Sequence, residues 1–515
     1  MSGYSGPLPP ERFNMARYCL EASARSFPDK LALVVATEPA NRGSDECWTY
    51  GALEEAVRRV GGGLRARGLE RGDRILVRMR NTSDYALVYF GAIAAGLVPI
   101  PASEQLSARE IAFFLEDSGA RAMAWSEGLA LPEIADGVDG IGPDDVAALK
   151  ASPAAAYADT VRDDPAYLVY TSGTSGRPKG ALHAHRAVWG RRPMYQGWYG
   201  IGPDDVMVHA GAFNWTYTLG VGISDPWANG ATTVLYTGPR DIQVWPHLID
   251  AYGGTIFAAV PTVYRQLLKY CNIIPRAMPS LRHGLVAGEA LAPAVDGEWR
   301  ERTGRVLYEA LGMTEVSTYI SCSPSVPIRP GSPGRPQAGR CVAILPIDGG
   351  TDPLAPGELG LLAVHRSDPA MMIGYWNRPA ETAEVFRGDW FCGGDLARLD
   401  EDGYVWFEGR NDDLMNAMGY RVSPLEVETV LASHPAVAEC AVCEVRARED
   451  VSIVAAFVVR KPDADVTADA LLVHASENLA QYKCPREVFF VDALPRTANG
   501  KLFRRGLAAL AASGR

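Results

Sequence analysis

The run Tyr170-Thr171-Ser172-Gly173-Thr174-Ser175-Gly176-Arg177-Pro178-Lys179-Gly180 is the stretch best suited to hold an anion. Its glycines let successive backbone N–H groups turn toward one point. The hydroxyls of Thr171, Ser172, Thr174 and Ser175, with the Lys179 ammonium, add donors for polyphosphate oxygens. A Walker loop closes on Gly-Lys-Ser/Thr. Here Arg177 and Pro178 precede Lys179 and a glycine follows it, which disfavours a P-loop ATPase or kinase. A flexible Gly/Ser linker would carry neither the apolar strand before the run nor the embedded Pro-Lys. A second pattern, Cys440-x-x-Cys443, lies in the mostly apolar run 437–445. On a strand, residues three apart point to opposite faces and cannot share a metal. Zinc or redox chemistry is not expected there.

Regular elements must position these residues. Residues 31–36 and 74–79 read as strands, and 50–67 and 83–95 as helices, with Gly68, Gly72 and Asp73 supplying a turn. Further strands are predicted at 167–170, 232–236, 255–259 and 285–287. Strand alternating with helix implies parallel sheets covered on both faces. After Pro324 the short strands 342–345, 360–364 and 403–408 are parted by Gly, Pro and Asp, as in a β-rich subdomain. The polar string 409–413 then interrupts the pattern. Beyond it, helices at 424–433, 468–479 and 501–512 and strands at 438–445 and 452–460 suffice for a small α+β domain. The expected fold is therefore α/β plus α+β. A large N-terminal domain (1–411) has layered parallel sheets, helices and a β-rich subdomain, and a small C-terminal domain spans 412–515.

Bulk properties narrow the partners. A chain of 515 residues exceeds one hydrophobic core. A net charge of −11 argues against a general binder of nucleic acid, though not against a nucleotide held by local donors. The nine cysteines are scattered and the first ten residues are polar, so a reducing cytoplasm is expected. The uncharged stretch 85–103 contains Gly91, Gly96, Pro99 and Pro101. It reads as a buried helix followed by a short strand, with no membrane span. A homodimer is compatible with the sequence and not dictated by it.

The phosphate-loop string resembles that of the ANL superfamily of adenylate-forming enzymes: acyl–CoA synthetases, peptide-synthetase adenylation domains and luciferases. The resemblance extends over almost the whole chain. Gly288-Glu289-Ala290 is similar to the family's adenine-side loop. Leu311-Gly312-Met313-Thr314-Glu315, led in by Glu309 and Ala310, looks like the second nucleotide motif. The resemblance implies that its backbone holds adenine, that Thr314 reaches the α-phosphate and that Glu315 helps hold Mg²⁺. Leu311 stands where many relatives place a tyrosine. Gly374-Tyr375-Trp376-Asn377-Arg378-Pro379 and Asp389-Trp390-Phe391-Cys392-Gly393-Gly394-Asp395 follow, with Asp395 implied to accept from the ribose hydroxyls. Gly409-Arg410-Asn411-Asp412-Asp413 places Arg410 near the nucleotide and Asp412 as a hinge. The stretch from Gly419, Tyr420 and Arg421 matches the opening of a mobile domain that would bind coenzyme A; Asn416 stands where many relatives carry a lysine. Pro495-Arg496-Thr497-Ala498-Asn499-Gly500-Lys501 resembles the terminal motif carrying the adenylation lysine.

These likenesses imply an AMP-forming acid–CoA ligase using ATP, Mg²⁺ and coenzyme A. The alternative is a stand-alone adenylation enzyme that loads a carrier protein. The stretch 209–220 occupies the place of the family's acyl-pocket segment, with Phe213, Trp215 and Tyr217, beside Gly288 and Gly312, as candidate wall residues. Parts of the chain look like benzoate–CoA ligases and others like medium-chain acyl–CoA ligases. The bulk of Trp215 and Tyr217 favours a compact aryl, cyclic or short acyl group over a long fatty tunnel.

Overall fold

The computed structural model describes residues 3–513 apart from 40, 135, 172–177, 240, 274–277, 414, 418–419, 449–450, 463 and 497–501. The chain divides into two compact units. One comprises Met1–Val342, Val364–Phe391 and Gly403–Val405; the other Ala343–Ala363, Cys392–Asp402 and Trp406–Arg515.

The first unit is built on two parallel sheets. In the larger, six parallel strands run in the order Val306–Met313, His283–Ala287, Ile256–Ala259, Val206–His209, Thr232–Tyr236 and Leu31–Ala36. Antiparallel strands close both edges. The smaller sheet pairs Val98–Pro101, Arg74–Arg78, Ala122–Trp125 and Asp139–Ile141, all parallel. Residues of both sheets share one apolar cluster with the helices Tyr50–Ala66 and Ser83–Ala95. All residues of Ser83–Ala95 except Asp84 are buried, which explains its uniformly apolar sequence without a membrane. Gly96 ends it in the left-handed conformation (φ 81°). The turn glycines Gly68 and Gly72 also have positive φ.

One expectation needs correction. The strand Pro165–Thr171 joins neither parallel sheet; it pairs antiparallel with Lys179–Ala184, which pairs in turn with Gly374–Tyr375. The sequence Lys-Gly-Ala-Leu-His-Ala has no β-branched residue, so its extended form comes from its neighbours on both sides.

The β-rich region forms a five-stranded sheet from Val342–Leu345, Gly360–His365, Trp390–Leu399 and Phe386–Arg387, with Val405–Arg410 paired to the long strand. That last strand starts two residues later than predicted. Toward the C-terminus, Val437–Arg448 and Val451–Arg460 form an antiparallel pair joined in parallel by Glu487–Phe490. The faces of this sheet carry separate apolar clusters. Cys440 packs against one and Cys443 belongs to the other, as the strand period requires. Burial raises both thiols, to about 12 and about 11, as expected of inert core cysteines. The last helix is Arg504–Ser513, later than predicted, because an antiparallel bridge between Arg496 and Leu502 turns the chain first.

Candidate active site

The phosphate-loop string starts on one strand of an antiparallel pair and ends on the other. Thr171 pairs with Lys179 and Tyr170 with Gly180. A P-loop launches a helix from its glycines, whereas a strand follows here, so the fold itself excludes that class. Ser172, Gly173, Thr174, Ser175 and Gly176 lie outside the described residues. Both ends of the string are braced. Tyr170 stacks on Phe114 at 4.2 Å and donates to Asp117 at 2.7 Å. Lys179 forms an ion pair with Glu381 and lies 5.5 Å from the Tyr375 ring centroid.

The two predicted nucleotide motifs sit side by side at the carboxyl ends of adjacent parallel strands, where ligands of open α/β sheets bind. Ala287 pairs with Ala310, which brings Gly288-Glu289-Ala290 next to Leu311-Gly312-Met313. Gly288 has φ 93°. Glu289 accepts from the Thr262 hydroxyl at 3.2 Å. Glu309 accepts the Leu291 N–H at 2.9 Å, tying the loops together, and burial raises its carboxyl to about 7. Gly312 is required by packing: a Cβ there would lie 2.5 Å from the Ser317 carbonyl oxygen.

Thr314 and Glu315 occupy the tip between Val306–Met313 and Ser317–Ser321. The Tyr375 hydroxyl donates to Glu315 Oε1 at 2.8 Å, and the Met372 N–H to the Glu315 carbonyl at 2.8 Å. Tyr375 thus joins the exit of the phosphate hairpin to the carboxylate at this tip. Just beyond, Ser317 is held at φ 73°, an uncommon conformation for a side-chain-bearing residue. Its hydroxyl accepts from buried Arg191, whose other donors engage the fully buried Asp225 at 2.6–3.1 Å. A second pair, Arg340 and Asp368 at 2.7 Å, is 0% and 1% exposed, and Arg340 also donates to the Thr318 carbonyl at 3.0 Å. None of these braces was foreseen, because the partners are remote in sequence; Tyr375 alone stood within a recognised motif.

On the acyl side, Asn81 fixes the segment from both sides, donating to the Gly211 carbonyl and accepting the Phe213 N–H, each at 2.9 Å. Phe213 is wholly buried against Tyr85 at 5.2 Å. Trp215 is half-buried. Tyr217 packs edge-on against His209 at 4.8 Å and alongside Trp198 at 6.1 Å, and its hydroxyl donates to the Leu285 carbonyl at 3.3 Å.

In the second unit, Arg410 donates to Asp395 at 3.0 Å, so the structure brings these two site residues together. Asp412 lies in the short turn Asn411–Asp413. Tyr420 and Arg421 belong to a small hairpin, paired with Ala417 and Asn416. The side chains of Asp412, Tyr420 and Arg421, and all of Gly419 and Lys501, lie outside the described residues.

Residues 20–376 match the family described as AMP-binding enzyme, and residues 426–501 match its C-terminal domain. The chain belongs to the AMP-binding enzymes. This AMP-binding enzyme is 34% identical over 477 residues to a benzoate–CoA ligase of Thauera aromatica, covering 89% of this chain and 90% of that one. It is 31% identical over 503 residues to a 3-hydroxybenzoate–CoA ligase of Aromatoleum sp., covering 94% and 96%. Among solved structures it resembles ATP-bound MatB from Rhodopseudomonas palustris with TM-score 0.86 and 27% identity, covering 96% of this chain and 99% of that one.

Proposed function

We propose that this AMP-forming acid–CoA ligase takes a compact carboxylic acid, whether aryl, cyclic or short- to medium-chain. ATP and the acid give an acyl adenylate and pyrophosphate, and the thiol of coenzyme A then displaces AMP. The observation that carries the residue assignment is the convergence on Tyr375 of the hairpin's Lys179 and the tip's Glu315.

The phosphates are assigned to the turn 171–179 and adenine to Gly288–Ala290 and Leu311–Met313. The ribose is assigned to Asp395, with Arg410 beside it. Glu315 suits a magnesium ion. It is a half-buried carboxylate with one oxygen fixed by Tyr375 and the other unpartnered among the described residues, and triphosphate oxygens complete a hard donor set. When bound, the ion offsets negative charge on the triphosphate. The acid's carboxylate must approach an α-phosphate of like sign, so the chain's part is positioning and charge stabilisation. Thr314 is assigned to the α-phosphate. Lys501 is assigned to the converging carboxylate and phosphoryl oxygens. For the second half-reaction, the domain 412–515 turns about Asp412 and presents Gly419, Tyr420 and Arg421 to coenzyme A. The acyl pocket is assigned to Trp215 and Tyr217, with Phe213 supporting them and Gly288 and Gly312 admitting the carboxylate end.

We further read a cytoplasmic enzyme acting on dissolved small molecules. The net charge of −11 supports this, and among the described residues no helix is long and apolar enough to cross a membrane. The test is ATP–pyrophosphate exchange across a panel of acids, followed by mass detection of the thioester on adding coenzyme A. Absence of exchange with every acid defeats the reading.

A further inference from the structure

Two polar side chains of the acyl segment have no protein partner among the described residues. His209 is 2% exposed with both ring nitrogens unbonded, and Thr218 is 0% exposed with its hydroxyl unbonded. They are neighbours across Gly211. A Cβ built on that glycine would lie 2.4 Å from Thr218 Oγ1 and 2.8 Å from His209 Cε1. The absent side chain therefore lets the backbone turn run past both groups. Leaving a buried polar group unbonded is costly, and such groups are few in native proteins. Here two occur together.

Their place in the fold is that of a ligand site. His209 ends the parallel strand Val206–His209, paired with Ala258 of the next strand, at the carboxyl edge that also carries Gly288 and Leu311. Thr218 opens a π-helical segment, Thr218–Ser224, a distortion often found at functional sites. Tyr217, assigned above to the acyl pocket, lies against His209.

We infer that His209 and Thr218 form a subsite for a neutral hydroxyl borne by the acid, so that the preferred substrates are compact hydroxy acids. This rests on the acid–CoA ligase reading. A hydroxyl both donates and accepts, matching a neutral imidazole and a threonine hydroxyl. Burial holds His209 neutral, lowering it to about 3. A charged substituent would find no counter-ion, because burial alone shifts His209 and no charged side chain among the described residues acts on it. An apolar substituent would leave both groups unbonded. A site built to hydrogen-bond a hydroxyl rejects analogues lacking it far more strongly than an apolar pocket rejects an added methylene.

The test compares matched acids with and without one hydroxyl, covering each ring position of aryl acids and short hydroxyalkanoates. kcat/KM is measured with saturating ATP, Mg²⁺ and coenzyme A. At least one hydroxy acid should exceed its parent by about tenfold or more, the worth of one well-made buried hydrogen bond. Thr218→Val, nearly isosteric, should erase most of that ratio. His209→Phe should act the same way, and the thermal melts of both variants show whether they fold. Turnover of parent acids with no hydroxyl preference, or a preference unmoved by Thr218→Val, overturns the subsite and leaves the ligase reading standing. Turnover of no acid overturns both.

Discussion

The charged side chains of the nucleotide side and two neutral ones of the acyl side are treated in opposite ways. Around the nucleotide motifs the charged side chains are bonded in advance: Lys179 to Glu381, Glu315 to Tyr375, Glu309 to the Leu291 N–H, Arg191 to Asp225. On the acyl side His209 and Thr218 are buried with no partner among the described residues. A ligand that never changes rewards groups locked in place, since no reorganisation is then needed on binding. A ligand that must be told from its analogues is read by groups that only the right one satisfies.

One brace is the buried pair of Arg191 and Asp225. Asp225→Ala would strand Arg191 without its counter-charge, and removing one partner of a buried pair costs about 3–5 kcal/mol. Denaturant unfolding should show that loss; a change under about 1 kcal/mol would mean the pair braces nothing. Lys501→Ala should lower adenylate formation about 10²–10³-fold, the usual cost of one charge-stabilising donor. Its turnover of a preformed acyl adenylate with coenzyme A should be retained. Equal loss in both half-reactions would end the division of labour. Tyr375→Phe removes only the hydroxyl on Glu315. It should raise the magnesium and ATP concentrations needed for half-maximal rate by about tenfold, the worth of a hydrogen bond to a charged group. The KM for the acid should not move, and a rise confined to the acid would refute the link.

Sequence pattern served well where one local rule decided the structure. The strand Leu31–Ala36 and the helix Ser83–Ala95 match the predicted bounds, because one is a continuous apolar run in a sheet and the other ends at a glycine. The opposite-facing thiols of Cys440 and Cys443 followed from strand period alone. Sequence failed where distant residues decide. Lys179–Ala184 has weak strand propensity and is held by two neighbours. Asn81 fixes a segment 130 residues away, and Arg191 and Asp225 meet across 34 residues. Burial of Glu309, and the orphaned state of His209 and Thr218, are properties of packing that no spacing reveals.

Glu309 supplies the smallest effect and a test of whether the pre-bonded side is optimised for stability as well. Its carboxyl is raised by burial from 4.5 to about 7. Between those two values the folded chain keeps a proton that the unfolded chain has released, so stability from this group is full at the acid end of the window. It declines as pH rises through 7 and levels off above. Glu309→Gln removes the titration and keeps an acceptor for the Leu291 N–H. The variant should match wild type near pH 5 and exceed it at pH 8 by on the order of 1 kcal/mol. Denaturant melts at the two pH values decide it: a constant offset would show that the carboxylate is charged at no cost in the fold. In that case the bracing of the adenine-side loops, and not the proton, would be all that Glu309 contributes.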